Sequence, residues 1–174
     1  MGTRLYFEGR GSNGEGAELW AHETVNQSTW QVADINQYSS FVIDPAIMGT
    51  RIYFGGTGDS DGRELWAHET TNNSTWQVAD INSGSGHGNA NDITVMGTRL
   101  YFEANDGSSG YELWAHDTSN SSTWQVADIN SGGSSYFGQY MAILVGDTLY
   151  FSATDGSSGI ELWRMEIEHT ITYS

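Results

Sequence analysis

The sequence contains no cysteine and no lysine. The first absence excludes disulfides, thiol catalysis and zinc–thiolate sites. The second excludes Schiff-base chemistry and the lysine of a phosphate-binding loop. All six basic residues are arginines, set against 22 Asp+Glu, for a formal net charge of −16. That balance argues against a nucleic-acid partner, which is held through clustered Lys and Arg, and against an anionic membrane surface. Proline occurs once, at Pro45. No apolar run approaches the roughly 18 residues of a membrane span; residues 141–145 are among the longest. No secretion-signal pattern is present, and Met1 opens directly into a strand-like segment.

Aromatic residues and glycine are plentiful instead, with seven Trp, nine Tyr, six Phe and 22 Gly. Disordered acidic chains are poor in aromatics, so this chain is expected to be ordered. Abundant glycine with scarce proline suits many short strands joined by glycine turns.

An internal repeat organises the chain. Met1-Gly-Thr-Arg-Leu-Tyr-Phe recurs from Met48, from Met96, and as Val145-Gly-Asp-Thr-Leu-Tyr-Phe, in steps of 47, 48 and 49 residues. Glu-Leu-Trp recurs at Glu18, Glu64, Glu112 and Glu161, and Ser-Thr-Trp-Gln-Val-Ala-Asp-Ile-Asn around Trp30, Trp76 and Trp124. A period of this length without helical patterning points to propeller blades of four strands. One copy reads as strands over 92–95, 99–103, 111–116 and 123–129, separated by Gly, Asn and Ser turns. Leu113 and Trp114 must point to opposite faces of their strand, so both faces carry bulk and each blade needs a neighbour on either side. The expected fold is therefore an all-β propeller of four four-stranded blades. It forms a single repeat domain over 1–174, with repeats of about 1–40, 41–88, 89–137 and 138–174. An open β-solenoid or a sandwich is the competing arrangement.

The first copy has no inner strand before Met1, and the fourth has a β-prone tail at 170–173. The tail is read as the last strand of the fourth blade, or else as the missing inner strand of the first. The ring then closes as a four-bladed monomer or as an eight-bladed ring from two chains, a homodimer favoured by unmatched sheet edges at the termini.

Glu-Leu-Trp followed by an acidic residue and Thr, and then Asp-Ile-Asn-Ser-Gly, resembles the ELWxxDGT-type tandem repeats of microbial secreted and surface proteins. The match covers essentially the whole chain and is best over 64–84 and 112–132. Glu23-Thr24, Glu69-Thr70 and Asp117-Thr118 lack the glycine of that motif. The resemblance implies a propeller-like repeat and an extracellular or cell-surface setting, and brings no reaction or ligand with it.

Repetition separates structural from functional candidates. His22, His68 and His116 share one position, but equivalent positions in different blades lie far apart. Zinc needs its ligands about 2 Å from one ion, so structural roles are expected. Asp59, Asp61, Asp106 and Asp155 sit in glycine turns that suit either calcium or ordinary turn chemistry. Asp34, Asp80 and Asp128 are expected to cap the end of a strand or to bond between blades.

Single-copy residues concentrate in the linkers between repeats. Tyr38, His87, Tyr136 and Tyr140 are the candidate ligand-binding residues, because aromatics beside Asn and Asp can stack on sugar rings while amides bond the hydroxyls. No nucleophile elbow and no HExxH motif occurs, so no enzyme, cofactor or metal is expected. The expected function is a non-catalytic structural or interaction module of unknown ligand, with a glycan or a protein as the candidate partners. An extracellular, lectin-like glycan binder is the alternative.

Overall fold

In this computed structural model, residues 3–12, 16–59 and 62–166 are described. They form fourteen strands in four antiparallel sheets. The first sheet holds β1 (Arg4–Arg10), β2 (Ala17–Glu23) and β3 (Ser28–Ala33). The second holds β4 (Ile43–Met48), β5 (Arg51–Thr57), β6 (Arg63–Glu69) and β7 (Ser74–Ala79). The third holds β8 (Asn91–Met96), β9 (Arg99–Asn105), β10 (Tyr111–Asp117) and β11 (Ser122–Ala127). The fourth holds β12 (Ala142–Val145), β13 (Thr148–Ala153) and β14 (Glu161–Glu166). Within each sheet every strand pairs with its sequence neighbours, so each sheet is a meander matching one repeat.

Local sequence accounts for the turns. Met48 pairs with Arg51 and Met96 with Arg99, each across a two-residue loop whose first residue, Gly49 or Gly97, has φ near +60°. A glycine there gives the twist that matches the two flanking strands. The last strand of the third repeat is shorter than its sequence pattern: β11 stops at Ala127, not at residue 129. Beyond that point the Ile129 N–H is taken by a glutamate side chain and leaves the sheet ladder. The tail at 170–173 lies outside the described residues.

The sheets pack face to face in sequence order. Leu19 and Val32 of the first sheet meet Ile52 and Phe54 of the second. Leu65 and Val78 meet Leu100 and Phe102, and Leu113 and Val126 meet Leu149 and Phe151. Leu113 faces the fourth sheet while Trp114 packs toward the second, so both faces of the strand are used. β4 contacts β8 and β8 contacts β12, which sets the first strands of successive sheets along one inner side.

The result is an all-β, propeller-like stack of four sheets with two open ends. Leu5 is 59% exposed, whereas Ile52, Leu100 and Leu149, which hold the same repeat position, are 0% exposed. At the other end Leu162 is 65% exposed, against 0% for Leu19 and Leu65. The first and fourth sheets therefore do not cover one another at these positions.

Candidate functional site

The linkers that carry the candidate residues are held by a buried carboxylate repeated in each of the first three blades. Glu18 accepts from the Ile35 N–H (3.0 Å) and from the N–H and hydroxyl of Ser40 (3.1 and 2.8 Å). Glu64 accepts from the N–H groups of Ile81 and Gly88, both at 2.7 Å. Glu112 accepts from Ile129 (2.7 Å) and Asn130 (3.4 Å). All three are buried. Burial pushes their carboxyls up, and the N–H donors pull back against it. The strand-end role expected of Asp34, Asp80 and Asp128 is thus performed by the glutamate of Glu-Leu-Trp, with the aspartates exposed beside it.

Backbone bonds then stitch each linker to two blades. The Ser40 N–H donates to Ala17 O, and the Thr57 N–H donates to Ser40 O. Ser135 repeats the pattern with Tyr111 and Thr154. The close approach requires glycine: a Cβ on Gly62 would overlap the carbonyl oxygen of Gly86, and one on Gly110 that of Gly133. Gly110 also has φ +80°, so its side of the linker seat is glycine for two reasons.

On this frame the four candidates are presented separately. Tyr38 is 76% exposed and Tyr140 75%. Tyr136 is exposed, with its backbone at φ +52°, and its neighbour Phe137 is fully buried and anchors that linker. Phe41 is exposed too and lies under Arg63, 5.7 Å from guanidinium carbon to ring centre. His87 is exposed, but its Nδ1 accepts the Arg63 N–H at 3.0 Å, which gives the ring a linker-holding contact. Tyr38, His87 and Tyr136 each belong to a different linker, and Tyr140 shares that of Tyr136.

A second group was not singled out from sequence. Asp44 and Asp92 sit in β4 and β8 where the pairing slips by an extra residue, with φ +48° and +54°. Asn91 pairs directly with Glu103 across β8 and β9. Asn91 Oδ1 and Glu103 Oε1 are both buried without a hydrogen-bond partner. Burial raises Glu103 to about 7, and the charges of Asp92 and Glu112 add to this while the Asn91 side chain opposes it in part. The sequence signal was a carboxylate at Glu103 where blades two and four carry Gly55 and Ser152.

The remaining repeated polar residues build the blades. Arg4, Arg51 and Arg99 bind Glu23, Glu69 and Asp117 at 3.3, 3.3 and 2.9 Å. Each also lies over a tryptophan, Trp30, Trp76 or Trp124. A planar guanidinium serves both partners, a task for which lysine is poorly shaped. His22, His68 and His116 bond through Nδ1 to Thr29, Thr75 and Thr123, each at 2.8 Å. Asp106 and Asp155 accept the N–H groups of the serines that follow them, and Asp59 accepts from Gln37 N–H. Asp61 lies outside the described residues. No group of three or more His, Asp or Glu placed to hold a metal ion occurs among the described residues.

No family model and no curated protein matches the chain. Solved structures do match it. TolB from Acinetobacter baumannii aligns over 94% of this chain and 38% of its own, with a TM-score of 0.63 and 14% identity. A putative TolB from Agrobacterium tumefaciens aligns over 95% of this chain and 58% of its own, with a TM-score of 0.65 and 11% identity. A puromycin hydrolase S511A mutant complexed with PGG aligns over 94% and 25%, with a TM-score of 0.64 and 8% identity. The chain spans less than two thirds of each. At these identities the likeness concerns fold alone, and together with the four repeated meanders it shows an all-β, propeller-like repeat protein.

Proposed function

We propose that this chain is a non-catalytic interaction module of the ELWxxDGT repeat type, and that its linker face makes the contact. The observation that carries this reading is the exposure of Tyr38, Tyr136 and Tyr140 on linkers whose backbones are pinned to two blades. An exposed tyrosine on a fixed backbone offers a large contact area with little conformational entropy to lose on binding. The repeated glutamates, histidines and arginines are committed to the blades, which leaves the linkers as the variable surface. The extracellular or surface setting follows the repeat resemblance.

Within this reading a glycan is the ligand class the face suits. Open tyrosine rings stack on sugars, and the net charge of −16 disfavours anionic polymers. The test exposes the native chain and a Tyr38→Ala/Tyr136→Ala/Tyr140→Ala variant to glycan and peptide arrays. Binding by the native chain that is lost in the variant supports the linker face. Glycan hits favour the lectin-like form and peptide hits a protein partner. Binding unchanged in the variant, or none on either array, overturns the proposal.

A further inference from the structure

The same sheet-to-sheet seam is made three times within the chain. In each, a leucine of the third strand of one repeat receives a leucine or isoleucine and a phenylalanine from the second strand of the next. The sets are Leu19 with Ile52 and Phe54, Leu65 with Leu100 and Phe102, and Leu113 with Leu149 and Phe151. Every one of these side chains is buried.

The two ends of the stack expose the two unmatched halves of that seam. Leu5 and Phe7 of β1 hold the positions of Ile52 and Phe54 and are uncovered. Leu162 of β14 holds the position of Leu19 and is uncovered, with Ile160 exposed beside it. An open hollow of about 470 Å³ lies against Leu162, Trp163 and Arg164. Trp163 and Met165 alternate with Leu162 and pack into the seam between the third and fourth sheets, so the open face belongs to Leu162 and Arg164. The first sheet has three strands where the middle sheets have four, so the edge of β1 opposite β2 has no partner among the described residues. A free edge is a ready site for a further strand or blade.

We propose that the Leu162 face of one chain docks on the Leu5/Phe7 face of a second copy of the same chain. The occupant is specified by continuity: a second copy carries the half-seam each end lacks, in the chemistry the chain already uses three times. Such a contact is heterologous, with different faces meeting, and it closes a ring of two chains or propagates to more. It concerns the blade ends, so it stands or falls apart from the linker-face reading.

Light scattering on a sizing column tests it, with the native chain and with Leu5→Asp and Leu162→Asp. Both positions are exposed, and circular dichroism of each variant checks that its β structure is kept. The native chain is expected at twice the 19.1 kDa of one chain, or a higher multiple, and each variant at 19.1 kDa. An equimolar mixture of the two variants is expected to recover a two-chain species, because each retains the face the other has lost. A native mass of one chain at 100 μM, an association that survives both substitutions, or a variant mixture that stays monomeric overturns the proposal.

Discussion

The main-chain N–H of Asp92 donates to Asp44 Oδ2 at 3.0 Å, and the two aspartates hold the same position in successive repeats. Each lies on the bulged first strand of its sheet with a positive φ. The two strands are in contact, and the bond ties the second sheet to the third. It also gathers negative charge: Asp92 is raised by burial and by the Asp44 carboxylate, and Glu103 stands next to it.

Burial of this group, reinforced by that charge, makes stability depend on pH. Glu103 is raised to about 7 in the folded chain from an ordinary value of 4.5. Its contribution is fully present below pH 4.5 and is lost as pH rises through 7. With partial solvent access the loss amounts to about 1–3 kcal/mol. Glu103→Gln keeps the neutral form at every pH. Urea unfolding is expected to show the variant gaining on the native chain between pH 5 and pH 8, whereas parallel profiles would remove Glu103 from the account.

The linker clasp predicts a contrast within one motif. Glu64→Ala leaves the Ile81 and Gly88 N–H groups without their acceptor. At ~1–3 kcal/mol for each donor left unpaired, a loss of about 2–6 kcal/mol is expected. Glu161 holds the same repeat position but is exposed, so Glu161→Ala should change the unfolding midpoint little.

Gly110→Ala should unseat the third linker. The new Cβ meets the Gly133 carbonyl oxygen, and φ +80° is unfavourable for alanine. Loss of order around Tyr136 is expected as faster proteolysis within 130–140, with a destabilisation of roughly 2 kcal/mol or more. A variant with native protease resistance would mean that the linker does not depend on this approach.

The turns between the third and fourth strands hold Gln27, Asn73 and Ser121 at φ +60°, +59° and +57°. Asparagine tolerates this region and serine does so less well. Ser121→Gly is expected to raise the unfolding midpoint, by about 1 kcal/mol of stability, and Asn73→Gly by less. Equal effects at the two sites would contradict the backbone argument.

Phe102 and Phe7 are one residue type at one repeat position, yet the first is fully buried and the second exposed. Phe102→Ala should cost about 3–5 kcal/mol. In the isolated chain Phe7→Ala should cost only a small fraction of that, measured by denaturant unfolding at low protein concentration.

Much of the fold was legible in the sequence because the repeat supplies the pattern several times over. Strand ends moved by a residue or two: β9 runs on to Asn105, and β11 stops at Ala127 because Glu112 captures the Ile129 N–H. The linker aromatics were legible as single-copy residues in a repeated chain. The inner group of Asp44, Asn91, Asp92 and Glu103 was not, because it forms only where bulged strands of different sheets converge.

The sequence by itself determined the local elements: strand alternation, glycine turns and four near-identical meanders, all set by interactions within one repeat. Tertiary structure alone decided which of the repeated residues are buried. Leu5 and Ile52 differ in exposure because burial depends on the next sheet, which a residue's own neighbours along the chain do not specify. Stacking also decided that the glutamate of Glu-Leu-Trp is a clasp and that Glu103 is raised to about 7, since desolvation and hydrogen-bond capture arise only when separate segments close around a group.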